Sequence, residues 1–297
     1  MNTKPLNNRG WDLMQLPDED ILNDLRQLYE RHHDIDADGM FYSLYSADIE
    51  YRRRVHEGVI EVLSPLLEDQ FPSYRPIFGI FIVKTPDPDR TEFFVHQDPS
   101  YVDERMFKGL HLWIPLQDVS TKNGPVRVLE GSHRLAGRHR GITVPSIFQE
   151  DQTWVREHMH TVPVRAGEAL LLDPRTVHDS APNQSNQHRV VVLVGLISKE
   201  APVEMVYVDE ERPDLAEIYR FPDRHFLTGT DFFMDCRCRP ETGTLIRTES
   251  LDNPVRSRED AARLLGIDPV SPDRRDTSHS CQMFGEPRKN SKETIAS

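Results

Sequence analysis

Residues 189–197 read RVVVLVGLI. From Val190 to Ile197 this is the longest unbroken apolar run of the chain, eight residues and rich in valine. A bilayer span needs about 20 apolar residues, so the run reads as a strand buried on both faces. The same texture extends upstream. Pro76–Val83 (PIFGIFIV), Phe93–Val95, Leu110–Leu116 (LHLWIPL), Val126–Leu129 and Ala169–Leu172 are each of strand length, separated by segments carrying Pro, Gly and Asn. Many short strands between about Arg75 and Ile197, with no long helix among them, point to an all-β barrel or sandwich. No internal repeat interrupts the pattern.

The flanks read differently. Ile21, Leu22, Leu25 and Leu28 recur at helical spacing after the capping-type Asp18, and Val55, Val59, Val62, Leu63, Leu66 and Leu67 form one stripe of a second helix over about Asp48–Asp69. Pro65 is expected to kink or shorten that helix. After Lys199 the signal weakens: Pro213–Tyr219 reads as a helical turn, and Ser257–Leu265 (SREDAARLL) as a short helix capped by Ser257. From about Pro269 the chain is polar and charge-mixed, a composition expected to be disordered. The expected organisation is a single domain over residues 1–268, with N-terminal helices at about 18–70 and a β core at about 75–200, followed by a tail over 269–297.

At 297 residues and 37% hydrophobic, the chain can bury one sizeable core. Its formal net charge of −13 repels phosphate backbones and anionic lipid heads, so neither nucleic acid nor membrane is an expected partner. The cysteines Cys236, Cys238 and Cys281 are too few for a disulfide framework, and the first twenty residues lack the apolar core of a signal peptide. A cytoplasmic location is the expectation. Nothing in the sequence fixes an oligomeric state.

The most informative local signal is His96-Gln97-Asp98, within FFVHQDPSY. On a strand, alternate residues share a face, so the imidazole and the carboxylate project together. Alone, this reads sooner as a strand-end histidine bonded to a neighbouring acid. His178, in LLLDPRTVHDSAPNQSNQHRVVV, adds a second imidazole after another apolar strand. Two neutral nitrogens and one carboxylate on one face of a metal leave three positions open, the facial triad associated with non-haem Fe(II) oxygenases. Arg189 follows eleven residues after His178, at the head of an apolar strand. A guanidinium there needs an anion, whether a bound carboxylate or one of the chain's own acids.

Taken in order, FIVKTP, HQD, LWIPLQD, NGPVRVLEGSH (Asn123 to His133), AGEALLLDPRTVH and Arg189 resemble the phytanoyl-CoA dioxygenase family of Fe(II)- and 2-oxoglutarate-dependent oxygenases, over about Gly79 to Ile197. The resemblance implies a double-stranded β-helix, a cupin-like jelly roll, with His96, Asp98 and His178 as iron ligands. Arg189 would hold the distal carboxylate of 2-oxoglutarate, Ser180 would assist it, and Trp113 matches a position beside the cosubstrate. As a large aromatic in an apolar strand, Trp113 reads equally as core. Relatives that halogenate carry a small residue where Asp98 stands, so hydroxylation or a related oxidation of a C–H bond by O2, releasing succinate and CO2, is what the resemblance implies. The acidic charge gives an acyl-CoA tail no basic platform, which favours a small polar metabolite or biosynthetic intermediate as substrate.

Other segments read as structural. The GSHR turn (Gly131 to Arg134) is expected to define the fold near the site mouth, Arg105 and Lys108 to be solvated, and Lys84 to be a solvated strand end, with a cosubstrate contact the lesser reading. Cys236-x-Cys238 lacks zinc-knuckle spacing. His32-His33 and His158-x-His160 read as solvated histidines. Asp36-Ala37-Asp38-Gly39 has Ala47 where a calcium loop needs glutamate. Two other functions share the expected fold: a cupin-type metal enzyme that does not use 2-oxoglutarate, and a non-catalytic binding protein.

Overall fold

The computed structural model describes residues 4–32, 38–228 and 238–270. A short helix α1 (Lys4–Arg9) and strand β1 (Trp11–Gln15) lead into helix α2 (Glu19–His32). Strand β2 (Met40–Tyr42), helix α3 (Ile49–Gln70) and the long strand β3 (Tyr74–Lys84) follow. The core continues with β4 (Phe93–His96), β5 (Gly109–Pro115), β6 (Val126–Val128), α4 (Gln152–Glu157), β7 (His160–Val162), β8 (Glu168–Leu172), β9 (His178–Ser180) and β10 (Arg189–Ser198). The chain then adds β11 (Val203–Tyr207), β12 (Leu215–Phe221), α5 (His225–Thr228), β13 (Thr244–Ser250) and α6 (Arg258–Leu265).

Strands β3 to β10 form one long hairpin closed at β6–β7. β3 pairs with β10, β4 with β9, β5 with β8 and β6 with β7, all antiparallel. This ribbon alternates between two sheets, a major one ordered β1-β8-β5-β10-β3-β2 and a minor one ordered β4-β9-β6-β7. The double-stranded β-helix is therefore present. Among the described residues no ladder joins the two sheets, so they pack face to face rather than closing into a hydrogen-bonded barrel.

The alternation of β10 shows why its sequence is apolar throughout. Val190, Val192, Val194 and Leu196 face α2 and α3, packing with Leu25, Leu28, Val55, Val59 and Leu63, whereas Val191 and Ile197 face the minor sheet beside Val126, Val128 and Trp113. The helices sit close: a Cβ on Gly79 of β3 would come 2.7 Å from Val59 of α3. Both helix starts match their sequence signals. Asp18 Oδ1 accepts from the Asp20 amide at 2.9 Å, and Asp48 Oδ1 from Tyr51 at 3.0 Å.

Pro65 neither ends nor shortens α3, which runs on to Gln70. A proline inside a helix costs about 3 kcal/mol. Leu63, Leu66 and Leu67 are all buried around it, and each returns roughly 1.5–3 kcal/mol on burial, so packing outweighs the lost hydrogen bond.

The C-terminal part differs most from its sequence reading. Residues 215–221 are not a helical turn but β12, the middle strand of a third sheet, β11-β12-β13. Both faces of β12 are covered: Ala216 and Ile218 lie in a small cluster with Val206 and Val208, while Tyr219 and Phe221 extend the core between the two larger sheets. Glu217 disguised the strand. It is buried because Arg212 and Arg239 pair with it and Tyr219 donates to it at 2.9 Å. Helix α6 forms as expected, with Ser257 Oγ accepting from the Asp260 amide at 3.1 Å. Of the expected disordered tail, residues 271–297 lie outside the described residues, as do His33, Asp36, Ala37, Cys236 and Cys281.

Candidate active site

Strand β4 ends at His96, so Asp98 stands just beyond it, its amide donating to the Pro174 carbonyl at 3.0 Å. The pairing of β4 with β9 sets Phe93 opposite Ser180 and His96 opposite His178. Four residues on one strand, 93 to 96, thus span three on the other, 178 to 180, and the bulge absorbs the odd residue. In a regular strand Phe93 and His96 would face opposite ways. The bulge turns both towards the face of β9 that carries His178 and Ser180.

His96, Asp98 and His178 form a group able to hold a metal, with one ligand atom from each lying within 4.8 Å of the others. The tautomers suit this. His96 Nδ1 donates to the Phe94 carbonyl and His178 Nδ1 to the Thr176 carbonyl, both at 2.9 Å. A carbonyl only accepts, so the proton is on Nδ1 in both rings and each Nε2 presents a lone pair. The two Nε2 atoms face Asp98 at 3.4 Å and 3.6 Å. Burial, reinforced by His96, pushes the His178 imidazole down to about 4. Burial opposes ionisation of Asp98, yet His111, His178 and His96 outweigh it and hold the carboxyl well below the usual range. Neutral imidazoles and an ionised carboxylate are the protonation states a metal requires.

Deeper between the sheets lies Arg189, 1% exposed. Its alternation places it on the inner face with Val191, directly opposite Lys84 of β3. Nε and Nη1 are buried and have no hydrogen-bond partner among the described residues. The ring centroid of Trp113 lies 5.5 Å from Arg189 Cζ. Burial pushes the guanidinium down to about 10. Trp113 itself is buried and belongs to the core, so it both packs and flanks the cation.

Lys84 is not a solvated strand end. It is 0% exposed, and its Nζ donates to Ser180 Oγ at 2.6 Å and to the Ser180 and Ala181 carbonyls at 3.2 and 2.7 Å. The strand parity that puts Ile80 and Ile82 in the inner core puts Lys84 there too. Burial and the neighbouring Arg189 push its ammonium down to about 6. Ser180, also buried, shares the inner face with His178 and is oriented by Lys84.

Three further groups escaped the sequence reading. His111 shares its strand face with Trp113 and reaches Asp98 Oδ2 through Nδ1 at 2.9 Å. Arg140, 3% exposed, donates to the Asp98 carbonyl at 3.0 Å and makes a two-pronged pair with Glu104 at 2.6 and 2.7 Å. Tyr42 of β2 lies opposite Ile82, with Phe93 at 5.9 Å. Parity along LHLWIPL was available as a signal for His111. None pointed to Arg140 or Tyr42, which come from a loop and from an unread strand.

The remaining segments take structural places. In the GSHR turn, Gly131 adopts a left-handed φ of 80°, His133 Nε2 bonds the Asn7 carbonyl at 3.0 Å, and Ser132 Oγ accepts from the Val177 amide at 2.8 Å. The turn therefore anchors the N-terminal segment and the residue preceding His178. Arg105 is exposed and pairs with Asp103, and Lys108 is exposed. His158 Nδ1 donates to the Trp154 carbonyl at 2.8 Å, and Cys238 is exposed. No helix among the described residues is long and apolar enough to cross a membrane.

A family model described as phytanoyl-CoA dioxygenase matches residues 26–191. Phytanoyl-CoA dioxygenase domain-containing protein 1 of Mus musculus is 27% identical over 170 residues, 54% of this chain and 57% of that protein. Its homolog in Dictyostelium discoideum is 28% identical over 123 residues, 39% of this chain and 44% of that one. The chain thus aligns with about half the length of the curated relatives it matches. Among solved structures, AviO1 from Streptomyces viridochromogenes is similar at 20% identity and a TM-score of 0.46, covering 67% of this chain and 94% of that one. HygX from Streptomyces hygroscopicus, crystallised with nickel, 2-oxoglutarate and hygromycin B, is similar at 14% identity and a TM-score of 0.47, over 67% and 88% of the two chains.

Proposed function

Because this chain belongs to the phytanoyl-CoA dioxygenase family, we propose that it is an Fe(II)- and 2-oxoglutarate-dependent oxygenase that hydroxylates, or otherwise oxidises, a C–H bond of a small metabolite or biosynthetic intermediate. The observation that carries this reading is the pair of buried basic side chains between the sheets. Arg189 and Lys84 stand opposite each other in one ladder, both buried, and no ion pair joins either to an acid among the described residues. Burial disfavours the charge on both, on Lys84 the more because Arg189 stands beside it, and an entering anion relieves this; a guanidinium fork with an amine and a hydroxyl beside it suits a carboxylate. Lys84 bonds Ser180, two residues along β9 from His178, so a keto acid that can bridge the metal and the basic groups is the fitting cosubstrate.

The donor set fits Fe(II): two imidazole nitrogens and one carboxylate oxygen, with the remaining positions free for a chelating cosubstrate and O2. When bound, the iron and 2-oxoglutarate supply the oxidising chemistry, in which O2 converts the keto acid to succinate and CO2 and oxidises the substrate. The protein's own part is to hold, orient and exclude water. His96 and His178 present Nε2 because backbone carbonyls fix their tautomers. Arg189 grips the distal carboxylate, Ser180 donates its hydroxyl to the same group while accepting from Lys84, and Trp113 walls the cation side. Arg140 fixes the backbone at Asp98. The carboxylate at Asp98 favours hydroxylation over halogenation, which needs a vacant ligand position there. The net charge of −13 favours a substrate without a polyphosphate tail.

The test is succinate release by the Fe(II) protein across a panel of small metabolites, with His178→Ala as control. Substrate-stimulated succinate that disappears in the variant supports the reading. Metal-dependent turnover without 2-oxoglutarate consumption would assign the fold to a different metal chemistry.

A further inference from the structure

We propose that His111 is a positioning residue for the metal site, holding Asp98 so that one carboxylate oxygen alone is offered to the metal. The inference rests on the metal reading above and concerns a residue outside the triad. His111 is 3% exposed on β5, opposite Gly195 of β10 in the ladder. Its Nδ1 lies 2.9 Å from Asp98 Oδ2. An ionised carboxylate only accepts, so Nδ1 carries the proton and donates it. The ring is fixed by aromatic neighbours, Phe78 at 5.9 Å and Tyr101 at 6.2 Å between centroids.

The other ring nitrogen is the telling atom. Nε2 of His111 is buried and has no hydrogen-bond partner among the described residues. A buried polar atom left unpaired weakens a fold, and a leucine or phenylalanine between Phe78 and Tyr101 would avoid the penalty. A residue kept only for packing would not be an imidazole. Among the described residues, the single polar contact His111 makes is to the carboxylate that faces both candidate ligand histidines.

The consequence follows from the carboxylate geometry. Oδ2 accepts from His111 and also lies 3.6 Å from His178 Nε2, whereas Oδ1 lies 3.4 Å from His96 Nε2 and is not held by His111. A carboxylate free to turn can bind a metal through both oxygens and so occupy a second coordination position. Holding Oδ2 keeps that position open for the cosubstrate or O2. Partners of this kind typically change metal affinity 10- to 100-fold.

Co(II) titrated anaerobically into the full-length protein tests this, because its visible absorption reports coordination number as well as binding. In His111→Asn the side-chain amide can place an N–H near the position of Nδ1. In His111→Gln the donor is carried one methylene further out, and in His111→Phe it is absent. The expected result is roughly 10- to 100-fold weaker Co(II) binding and an altered spectrum for the Gln and Phe variants, with the Asn variant close to the parent. If Gln and Phe match the parent in affinity and spectrum, His111 does not position the ligand. If all three lose metal together with their near-ultraviolet circular dichroism, His111 is a packing residue and the proposal is overturned. A parent protein that binds no Co(II) would remove the metal site itself, and this inference with it.

Discussion

Replacing Arg189 by methionine separates a ligand-holding cation from a structural one, because the two roles move stability in opposite directions. Methionine keeps a long flexible side chain in the space between the sheets and removes the charge. In the structure the guanidinium is 1% exposed, Nε and Nη1 are without partners among the described residues, and burial pushes it from 12.5 down to about 10. That drop corresponds to about 3 kcal/mol of unfavourable burial of the charge. The penalty is fully present at every pH below about 10 and disappears only as the pH rises towards the unfolded value. Without cosubstrate, Arg189→Met should therefore melt higher than the parent, by roughly 5 °C at a few degrees per kcal/mol. With Fe(II) present, 2-oxoglutarate should bind at least ~30-fold more weakly, because losing one partner of a desolvated charge-assisted pair costs about 2–5 kcal/mol. Iron affinity should hold, since Arg189 is not one of the three candidate ligands. Scanning fluorimetry of the metal-free protein reads the first quantity, and anaerobic titration following the visible charge-transfer band of the chelate reads the second. A variant that melts lower and binds 2-oxoglutarate as tightly as the parent would make Arg189 a structural residue and withdraw the main support for the cosubstrate.

Lys84 gives a pH signature. With its ammonium pushed down to about 6 in the empty site, it is largely neutral at pH 7.5, and a bound dicarboxylate should restore the proton. Binding of 2-oxoglutarate should then take up part of a proton, with affinity full below pH 6 and falling as the pH rises above it. Calorimetry at pH 7.5 in two buffers of different ionisation enthalpy should give different apparent heats, and equal heats would contradict the assignment. Gly195 gives a packing test. A Cβ there would meet the Phe78 ring at 2.4 Å, and Phe78 lies against His111. Gly195→Ala should lower stability by about 1–3 kcal/mol in denaturant unfolding, and an unchanged midpoint would show that Phe78 can swing aside.

Local pattern determined a good deal. The valine run at 190–197, the short strands before it and the two amphipathic helices were legible because burial imposes a period of 2 or 3.6 on the sequence itself. Asp18 and Ser257 were legible as caps because a cap is satisfied within three residues. His96, Asp98, His178 and Arg189 could be picked out because their residue types are costly in apolar strands without a task. Tertiary structure decided what depends on partners far along the chain. Glu217 sits in a strand because arginines from elsewhere neutralise it, and Pro65 stays helical because leucines on either side of it are buried. The bulge in β4 that turns His96 towards His178 is a register relation between two strands, invisible in either alone. Lys84 became a buried basic group through strand parity and a serine ninety-six residues away. His111 and Arg140 acquired their roles by lying against Asp98. A sequence records which groups a chain carries and how they repeat. Which of them end up desolvated together is set by long-range pairing, and that is where the charges of this site take their meaning.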